Sequence, residues 1–314
     1  MRPDPGVLAA FGAHADPVRL PGGEGTAWRA GPVVLKPAGD PRVARWTAEL
    51  YRDLSHATAR RDPGFRVPRP LRAAARDGTA RDGAARDGTA RDGAASDGPA
   101  GDWVAGDPVT GGWVAWQWLP GEPAAWAGVS PFWPRLIAAS RAFHAALAGR
   151  PAPSWLGRDG SPWTVGDQVA WGERDPGSVL ATAPRSLGGQ LRGLLAALRP
   201  VPLPRQLVHG DLGGNVLFAD GEPPAVIDFS PYWRPAGLAL AVAAVDALMW
   251  GGASPAALDE LDAEPEWGQL LARALVYRLV TEIVFRRGDP AGLETVARTS
   301  EPVTVLVLAG LAVK

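Results

Sequence analysis

Residues 206–230 constrain the fold of this chain more than any other stretch, because polar residues separate short apolar runs that must be buried. The runs QLVH, NVLF and AVIDF each have the length and composition of a short β-strand. Between the last two, the sequence ADGEPP contains an Asp-Gly pair, which is typical of a hairpin turn. The sequence therefore predicts a β-hairpin here, preceded by a loop that follows QLVH.

The predicted hairpin would gather oxygen-bearing side chains. Asn215 and Asp228 would lie near each other at its open end, and Asp211 would lie on the loop just before it. Carboxylate and amide oxygens suit Mg²⁺, which takes its other ligands from water and phosphate. A remaining acid could accept a proton from an attacking hydroxyl. The alternative is that these residues only cap turns. An Asn four residues after His-Gly-Asp, with an Asp thirteen residues further on, favours a site.

Composition limits the classes of partner. The chain has 314 residues, 46% of them hydrophobic, enough for one large or two small domains. A formal net charge of −1 gives no electrostatic case for a nucleic-acid or membrane partner. The absence of cysteine excludes disulfides and thiolate metal sites. The N-terminus lacks a long apolar signal core, and the apolar run VTVLVLAGLAV is too short to cross a bilayer. We therefore expect a soluble, cytoplasmic protein.

The first third of the chain is rich in strand patterns. Residues 18–36 predict a strand, the Gly-rich turn PGGEG and a second strand, and residues 41–54 predict a helix. Further strands are expected in FRVPRPLRA and in GGWVAWQWLPGEP. Lys36 is one of only two lysines in the chain, which favours a site that needs a compact point charge rather than an arginine fork; the alternative is a lysine retained by chance.

Helical patterns dominate the rest of the chain, so the fold class should be α+β. They cover residues 132–148, 187–198, 236–250, 267–286, 291–299 and 302–312. The run AGLALAVAAVDALMW is apolar all round and should be a buried helix, in which Asp246 is unusual. Residues 76–98 repeat five-residue units such as RDGTA, have no large apolar residue, and are predicted to be a disordered surface insertion.

Two segments carry a resemblance to a known family. HGDLGGNVL resembles the catalytic loop, and VIDFS the magnesium-binding segment, of the aminoglycoside phosphotransferase-like family, which has a protein-kinase-like fold. The resemblance implies two lobes: a small β-rich N-lobe at residues 1–118 and a larger, mainly helical C-lobe at residues 119–314.

The resemblance also implies roles for single residues. Asp211 would orient and deprotonate the acceptor hydroxyl, and Asn215 and Asp228 would bind Mg²⁺. Lys36 would pair with the nucleotide phosphates, and Glu49 would hold Lys36. The phosphate-covering loop would be formed by Gly22, Gly23 and Gly25. The hinge that meets adenine through backbone groups would be formed by Gln117, Trp118 and Leu119.

Two further polar residues have less direct roles in this resemblance. His209 is expected to brace the catalytic loop by hydrogen bonding rather than to transfer a proton. Asp246 is expected to pair with a loop group as a structural acid, with a functional role as the alternative.

The function implied is the Mg²⁺-dependent transfer of a phosphoryl group from ATP to a hydroxyl of a small molecule. GTP is the other candidate donor. The sequence departs from the family in two ways. Four steps instead of five separate Asp211 from Asn215, with two glycines between them, and PGGEG lacks the full glycine pattern of protein kinases. A catalytically inactive nucleotide-binding regulator and an atypical protein kinase remain the alternatives.

Overall fold

A computed structural model describes residues 1–21, 25–60, 64–74, 102–105, 112–124, 132–261 and 264–312. Gly22, Gly23 and the repeat at 76–98, predicted to be a disordered insertion, lie outside these residues. The chain divides into two compact units. The first comprises Met1–Asp62 and Val67–Pro120, and the second comprises Pro63–Arg66 and Gly121–Lys314.

The first unit contains an antiparallel sheet. Its strands are β1 (Val18–Arg19), β2 (Trp28–Ala30), β3 (Val33–Pro37), β4 (Pro70–Leu71), β5 (Val104–Ala105) and β6 (Trp113–Gln117). They pair in the order β1-β2-β3-β6-β4, and β5 also pairs with β6. Residues 18–36 thus form three strands where the sequence predicts two. A tight turn at Gly31, with a φ of 61°, adds the extra reversal between β2 and β3.

Two helices accompany this sheet, α1 (Pro5–Ala10) and α2 (Pro41–Arg60). The sequence did not predict α1, which starts with Pro5 behind an Asp4 side chain that accepts a hydrogen bond from the N–H of Val7. Residues in or next to α1 and the sheet form one buried cluster, which is Val7, Phe11, Ala13, Ala30, Val33, Leu35, Ala73, Ala105, Trp113 and Ala115. This apolar face fixes β3, the strand that carries Lys36.

The second unit is mainly helical. Its helices are α3 (Trp133–Leu147), α4 (Pro162–Ala170), α5 (Gly177–Leu180), α6 (Arg185–Ala197), α7 (Leu238–Met249), α8 (Trp267–Phe285) and α9 (Pro290–Ala312), with a 3₁₀ helix at Pro255–Leu261. The predicted helices at 132–148, 187–198, 236–250 and 267–286 are confirmed as α3, α6, α7 and α8. Both α7 and α8 are buried on nearly every side. For α7 the sequence predicts this burial, because its run is apolar all round.

A single helix, α9, replaces the two helices predicted at 291–299 and 302–312. Pro302 lies inside it and removes one backbone hydrogen-bond donor. Buried residues continue along one side of the helix on both sides of Pro302. Val296 and Ser300 precede the proline, and Val303 and Val307 follow it. Burial of this stripe therefore outweighs the cost of the proline.

Short strands hold the segment that the sequence singled out. They are β7 (Glu122–Pro123), β8 (Gln206–His209), β9 (Val216–Phe218), β10 (Ala225–Val226) and β11 (Pro231–Arg234). Strands β9 and β10 are antiparallel, with Val216 opposite Val226, which confirms the predicted hairpin. Strand β11 was not predicted. It pairs antiparallel with β8 and so returns the chain beside His209.

The β-rich first unit and the mainly helical second unit confirm the predicted α+β fold class. Within the part of the chain that the structure describes, no helix combines the length and the apolar character needed to span a membrane.

Candidate active site

Strand β8 ends at His209, whose buried imidazole ties two segments together. Its Nε2 donates to the carbonyl oxygen of Ile227 at 3.0 Å, and its Nδ1 accepts from the backbone N–H of Asp211 at 3.2 Å. This pattern requires a neutral ring with its proton on Nε2. Burial lowers the pKa of His209, which favours the same neutral form. His209 therefore braces the loop at Asp211 against the segment that leads to Asp228.

A second buried histidine, His144 on α3, supports the first. Its Nδ1 donates to the carbonyl oxygen of Ser140 at 2.7 Å, and its Nε2 accepts from the backbone N–H of His209 at 3.0 Å. Burial lowers the pKa of His144 to about 4. The ring is therefore neutral near pH 7, and its role is structural.

The loop from Asp211 to Asn215 is closed by hydrogen bonds of the asparagine side chain. Asn215 Nδ2 donates to the backbone oxygen of Asp211 at 2.7 Å and to its Oδ2 at 3.1 Å. Gly214 has a φ of 81°, a conformation that glycine adopts without strain. A Cβ atom at Gly213 would lie 3.2 Å from Asp246 Oδ2. The two glycines thus allow a loop one residue shorter than the family pattern to bring Asn215 to Asp211.

Asp228 follows the second strand of the hairpin. The N–H of Ile227 donates to the carbonyl oxygen of Asn215 at 2.9 Å, so Asn215 and Asp228 lie at the same end of the hairpin. Asp228 has a φ of 51°, which costs a residue with a side chain on the order of 1–3 kcal/mol. The next residue, Phe229, is buried with its ring centroid 5.5 Å from that of His209. The strained backbone leaves the Asp228 side chain exposed beside the buried Phe229.

Asp246 is connected to the site through Arg278 of α8. The sequence analysis did not identify Arg278. Arg278 Nη2 donates to Asp211 Oδ1 at 2.7 Å, and its Nε donates to Asp246 Oδ1 at 2.6 Å. Nη2 also donates to Asp246 Oδ2. Burial opposes the charge of Arg278, but the neighbouring carboxylates outweigh burial and raise its pKa well above the ordinary value. Nothing in the sequence of α8 distinguishes Arg278 from Arg273, the other buried arginine of the same helix.

The donors near Asp211 are suited to Mg²⁺. Because Nδ2 of Asn215 is used by Asp211, its Oδ1 remains for a cation, and it has no protein partner within the described residues. Asp228 supplies a carboxylate at the same end of the hairpin. The described part of the chain contains no group of three or more His, Asp or Glu side chains that could hold a metal. A two-residue site accords with Mg²⁺, which keeps water and phosphate as its other ligands.

The predicted nucleotide residues of the first unit lie on different elements. Lys36 is half-buried on β3, and Glu49 is exposed on α2. The structure does not bring them together, since Glu49 forms no ion pair within the described residues. Their pairing stays a prediction. Gly25 has a φ of 62°, and its carbonyl oxygen accepts a hydrogen bond from Arg19 Nε.

The predicted hinge begins at Gln117, the last residue of β6. The N–H of Gln117 donates to Arg69 O at 2.8 Å, and the N–H of Trp118 donates to Pro32 O at 2.7 Å. The N–H of Leu119 has no partner in the part of the chain that the structure describes. The contact of these backbone groups with adenine stays a prediction.

A buried ionic network fixes the strand that follows Asp228. Arg234, the last residue of β11, donates to both carboxylate oxygens of Asp167 on α4, at 2.8 and 2.6 Å. It also makes two hydrogen bonds of 2.7 Å to Glu173. Arg234 lowers the pKa of Glu173. The network attaches β11, and through it β8, to α4.

The β-rich unit, the helical unit and the hairpin that carries Asn215 and Asp228 accord with a phosphotransferase of the protein-kinase-like fold, the class that the resemblance implies. The model of the phosphotransferase enzyme family APH matches residues 26–232. This chain belongs to that family, which confirms the predicted resemblance and makes it a small-molecule phosphotransferase that acts on a hydroxyl group. Among curated proteins, no sequence matches the chain.

Solved structures agree on the fold. A thermostable mutant of aminoglycoside phosphotransferase APH(4)-Ia, in a ternary complex with AMP-PNP and hygromycin B, is 15% identical, with a TM-score of 0.53 over 94% of this chain and 97% of that one. A choline/ethanolamine kinase family protein from Mesorhizobium loti is 17% identical, with a TM-score of 0.51 over 96% and 94%. At these identities the likeness concerns the fold, and it confirms the protein-kinase-like class.

Proposed function

We propose that this protein transfers the γ-phosphoryl group of ATP, bound with Mg²⁺, to a hydroxyl group of a small molecule, with GTP as the alternative donor. The observation that carries the proposal is the hydrogen bonding of Asn215 to Asp211 at the hairpin end that also presents Asp228. The complexes of APH(4)-Ia with AMP-PNP and with ADP support a nucleotide donor.

Each residue near the hairpin has a proposed role. Asp211 would orient the acceptor hydroxyl and accept its proton. Asn215 Oδ1 and the Asp228 carboxylate would hold Mg²⁺, and the metal would neutralise charge on the phosphates. His209 would keep Asp211 in place through the backbone.

The first part of the chain would bind the nucleotide. Lys36 would contact the phosphates, and Glu49 would hold Lys36 once nucleotide is bound. The turn proposed to cover the phosphates contains Gly22, Gly23 and Gly25. The hinge proposed to meet adenine consists of Gln117, Trp118 and Leu119. We thus propose that residues 1–118 serve mainly the nucleotide and residues 119–314 the metal, the base and the acceptor.

A small acceptor is favoured over a protein by the segment after Asp228. Residues 229–237 contain β11, which pairs with β8, and then lead directly into the buried α7. This segment is committed to packing and leaves no length for a peptide-binding activation segment. Hygromycin B in the APH(4)-Ia complex and the choline/ethanolamine kinase relative support small alcohols as the class to screen.

The first experiment is thermal unfolding with and without MgATP, MgGTP and each nucleotide in EDTA. A ligand at about 100 times its dissociation constant adds about 2.7 kcal/mol, which means a shift of several degrees at this chain length. We expect a magnesium-dependent shift that Asp228→Asn loses. Asp220→Asn is the matched control, because Asp220 lies exposed in the turn of the same hairpin.

The second step is a screen of small alcohols and aminoglycosides for nucleotide-dependent phosphorylation. Turnover of any of them would exclude an inactive regulator. A protein that shows neither a thermal shift nor turnover would contradict the proposed function.

A further inference from the structure

The side chain of Asp211 is held at both of its carboxylate oxygens. Arg278 Nη2 donates to Oδ1 at 2.7 Å, and Asn215 Nδ2 donates to Oδ2 at 3.1 Å. The Arg278 side chain is only 10% exposed, whereas that of Asp211 is 40% exposed. A buried, rigid donor therefore fixes a carboxylate that solvent or a ligand can reach.

Arg278 is itself anchored by Asp246 of α7, whose side chain is 15% exposed. Asp246 accepts hydrogen bonds from both Nε and Nη2 of Arg278. The same carboxylate lies against Gly213, where a Cβ would come within 3.2 Å of its Oδ2. Asp246 thus contacts the shortened loop and the arginine that reaches Asp211.

We infer that Arg278 and Asp246 are positioning residues that hold Asp211 in its reactive orientation and compensate for the shortened loop. The inference rests on the proposed phosphoryl transfer. A cation beside the proposed base is compatible with that reaction, since its transition state is largely dissociative and depends more on positioning than on a strong base. The pair lies on two buried helices, so it moves little with the loop.

The alternative is that the pair only stabilises the contact between α7 and α8. The two roles differ in what they change. A positioning role lowers turnover in folded protein while nucleotide affinity is kept, whereas a packing role changes stability and leaves turnover of the folded fraction unchanged.

The test uses the full-length protein with MgATP and water as the acceptor, so it needs no knowledge of the natural alcohol. In this reaction the bond from the γ-phosphorus to the bridging oxygen breaks, and a bond to the water oxygen forms. The products are ADP and inorganic phosphate, and the water proton passes through Asp211 to solvent. The phosphate release rate at saturating MgATP gives kcat, and a fluorescent ADP analogue gives the affinity.

We expect Arg278→Gln to lose at least about tenfold in kcat while affinity for the ADP analogue stays within about twofold. Arg278→Lys should recover part of the loss, because an ammonium keeps the charge but lacks the planar fork that serves two carboxylates. Arg273→Gln is the matched control. Arg273 is buried on the same helix, but its hydrogen bonds go to the backbone oxygens of Ala170 and Arg199 and not to Asp211. It should keep wild-type kcat.

A double variant separates folding from positioning. Asp246→Asn/Arg278→Gln removes both buried charges, so it leaves none unpaired, and it should fold yet remain at least about tenfold slow. Wild-type kcat in folded Arg278→Gln or in the double variant would overturn the positioning role while leaving the proposed function intact. A wild-type protein that binds MgATP but transfers no phosphoryl group to water or to any screened alcohol would overturn both the positioning role and the proposed function.

Discussion

The imidazole of His144 accepts a hydrogen bond from the backbone N–H of His209 at 3.0 Å, so a side chain on α3 holds the strand that leads to Asp211. The accepting atom, Nε2, can do this only while it carries no proton. Protonation would place one donor against another in a fully buried position. The contact therefore links the stability of the site to pH.

The first prediction concerns that pH dependence. The pKa of His144 is about 4 in the folded protein against an ordinary value of 6.5, so the unfolded chain binds more protons between these values. The contribution of neutral His144 to the free energy of unfolding is complete above pH 6.5. It is lost as pH falls towards 4, by up to about 3 kcal/mol. Urea unfolding across this range should show a steeper fall for wild type than for His144→Gln, whose amide can keep both hydrogen bonds. Parallel curves would contradict this.

The second prediction concerns the proposed base. Asp211→Asn keeps the size of the side chain and an oxygen that can accept from Arg278, but it cannot take up a proton from a hydroxyl. We expect a loss of roughly 100-fold or more in phosphoryl transfer, with nucleotide affinity retained. Steady-state kinetics and a nucleotide titration check the two quantities. Equal activity of the variant and wild type would remove Asp211 from the mechanism.

The third prediction concerns the network around Arg234. Arg234→Met leaves the buried carboxylate of Asp167 without its partner, which should lower the free energy of unfolding by about 3–5 kcal/mol. Arg205→Met serves as the control, because Arg205 is exposed and pairs with Glu173 at 3.0 Å. Its loss should cost less than about 1 kcal/mol. Similar destabilisation by the two variants in denaturant titrations would show that burial of the network contributes little.

The fourth prediction concerns Gly210, between His209 and Asp211. A Cβ atom at this position would overlap the ring of Tyr232 on β11. Gly210→Ala should therefore destabilise the protein by about 1–3 kcal/mol through overpacking. The cost should shrink in a Tyr232→Ala background, which a double-mutant cycle of unfolding free energies measures. An unchanged cost in that background would mean that the ring is not the obstacle.

Local sequence patterns were sufficient for the hairpin and for the apolar helices. The Asp-Gly turn and the flanking apolar runs specify strands β9 and β10, and with them the common position of Asn215 and Asp228. Helix α7 follows from a run that is apolar on every side, and α8 follows from a helical pattern. These elements could be predicted because their signals lie within a few neighbouring residues.

The partner of Asp211 and the pairing of β11 could not be predicted in the same way. Arg278 lies 67 residues after Asp211, and no local pattern specifies that the two side chains meet. Strand β11 begins with a proline and has only four residues, so its pairing with β8 depends on tertiary context. Sequence reasoning also joined Lys36 to Glu49 by resemblance, and the exposed position of Glu49 leaves that pairing to be tested with nucleotide bound.

The burial of α8 has a consequence for motion. This helix packs against α4, α6, α7 and α9, so its central amide hydrogens should exchange with solvent only when the whole second unit unfolds. Arg278 ties Asp211 to that helix, whereas Asp228 lies exposed at a hairpin end. The proposed base is therefore held by the part of the second unit that should exchange most slowly, and it should keep its place while surface loops open locally.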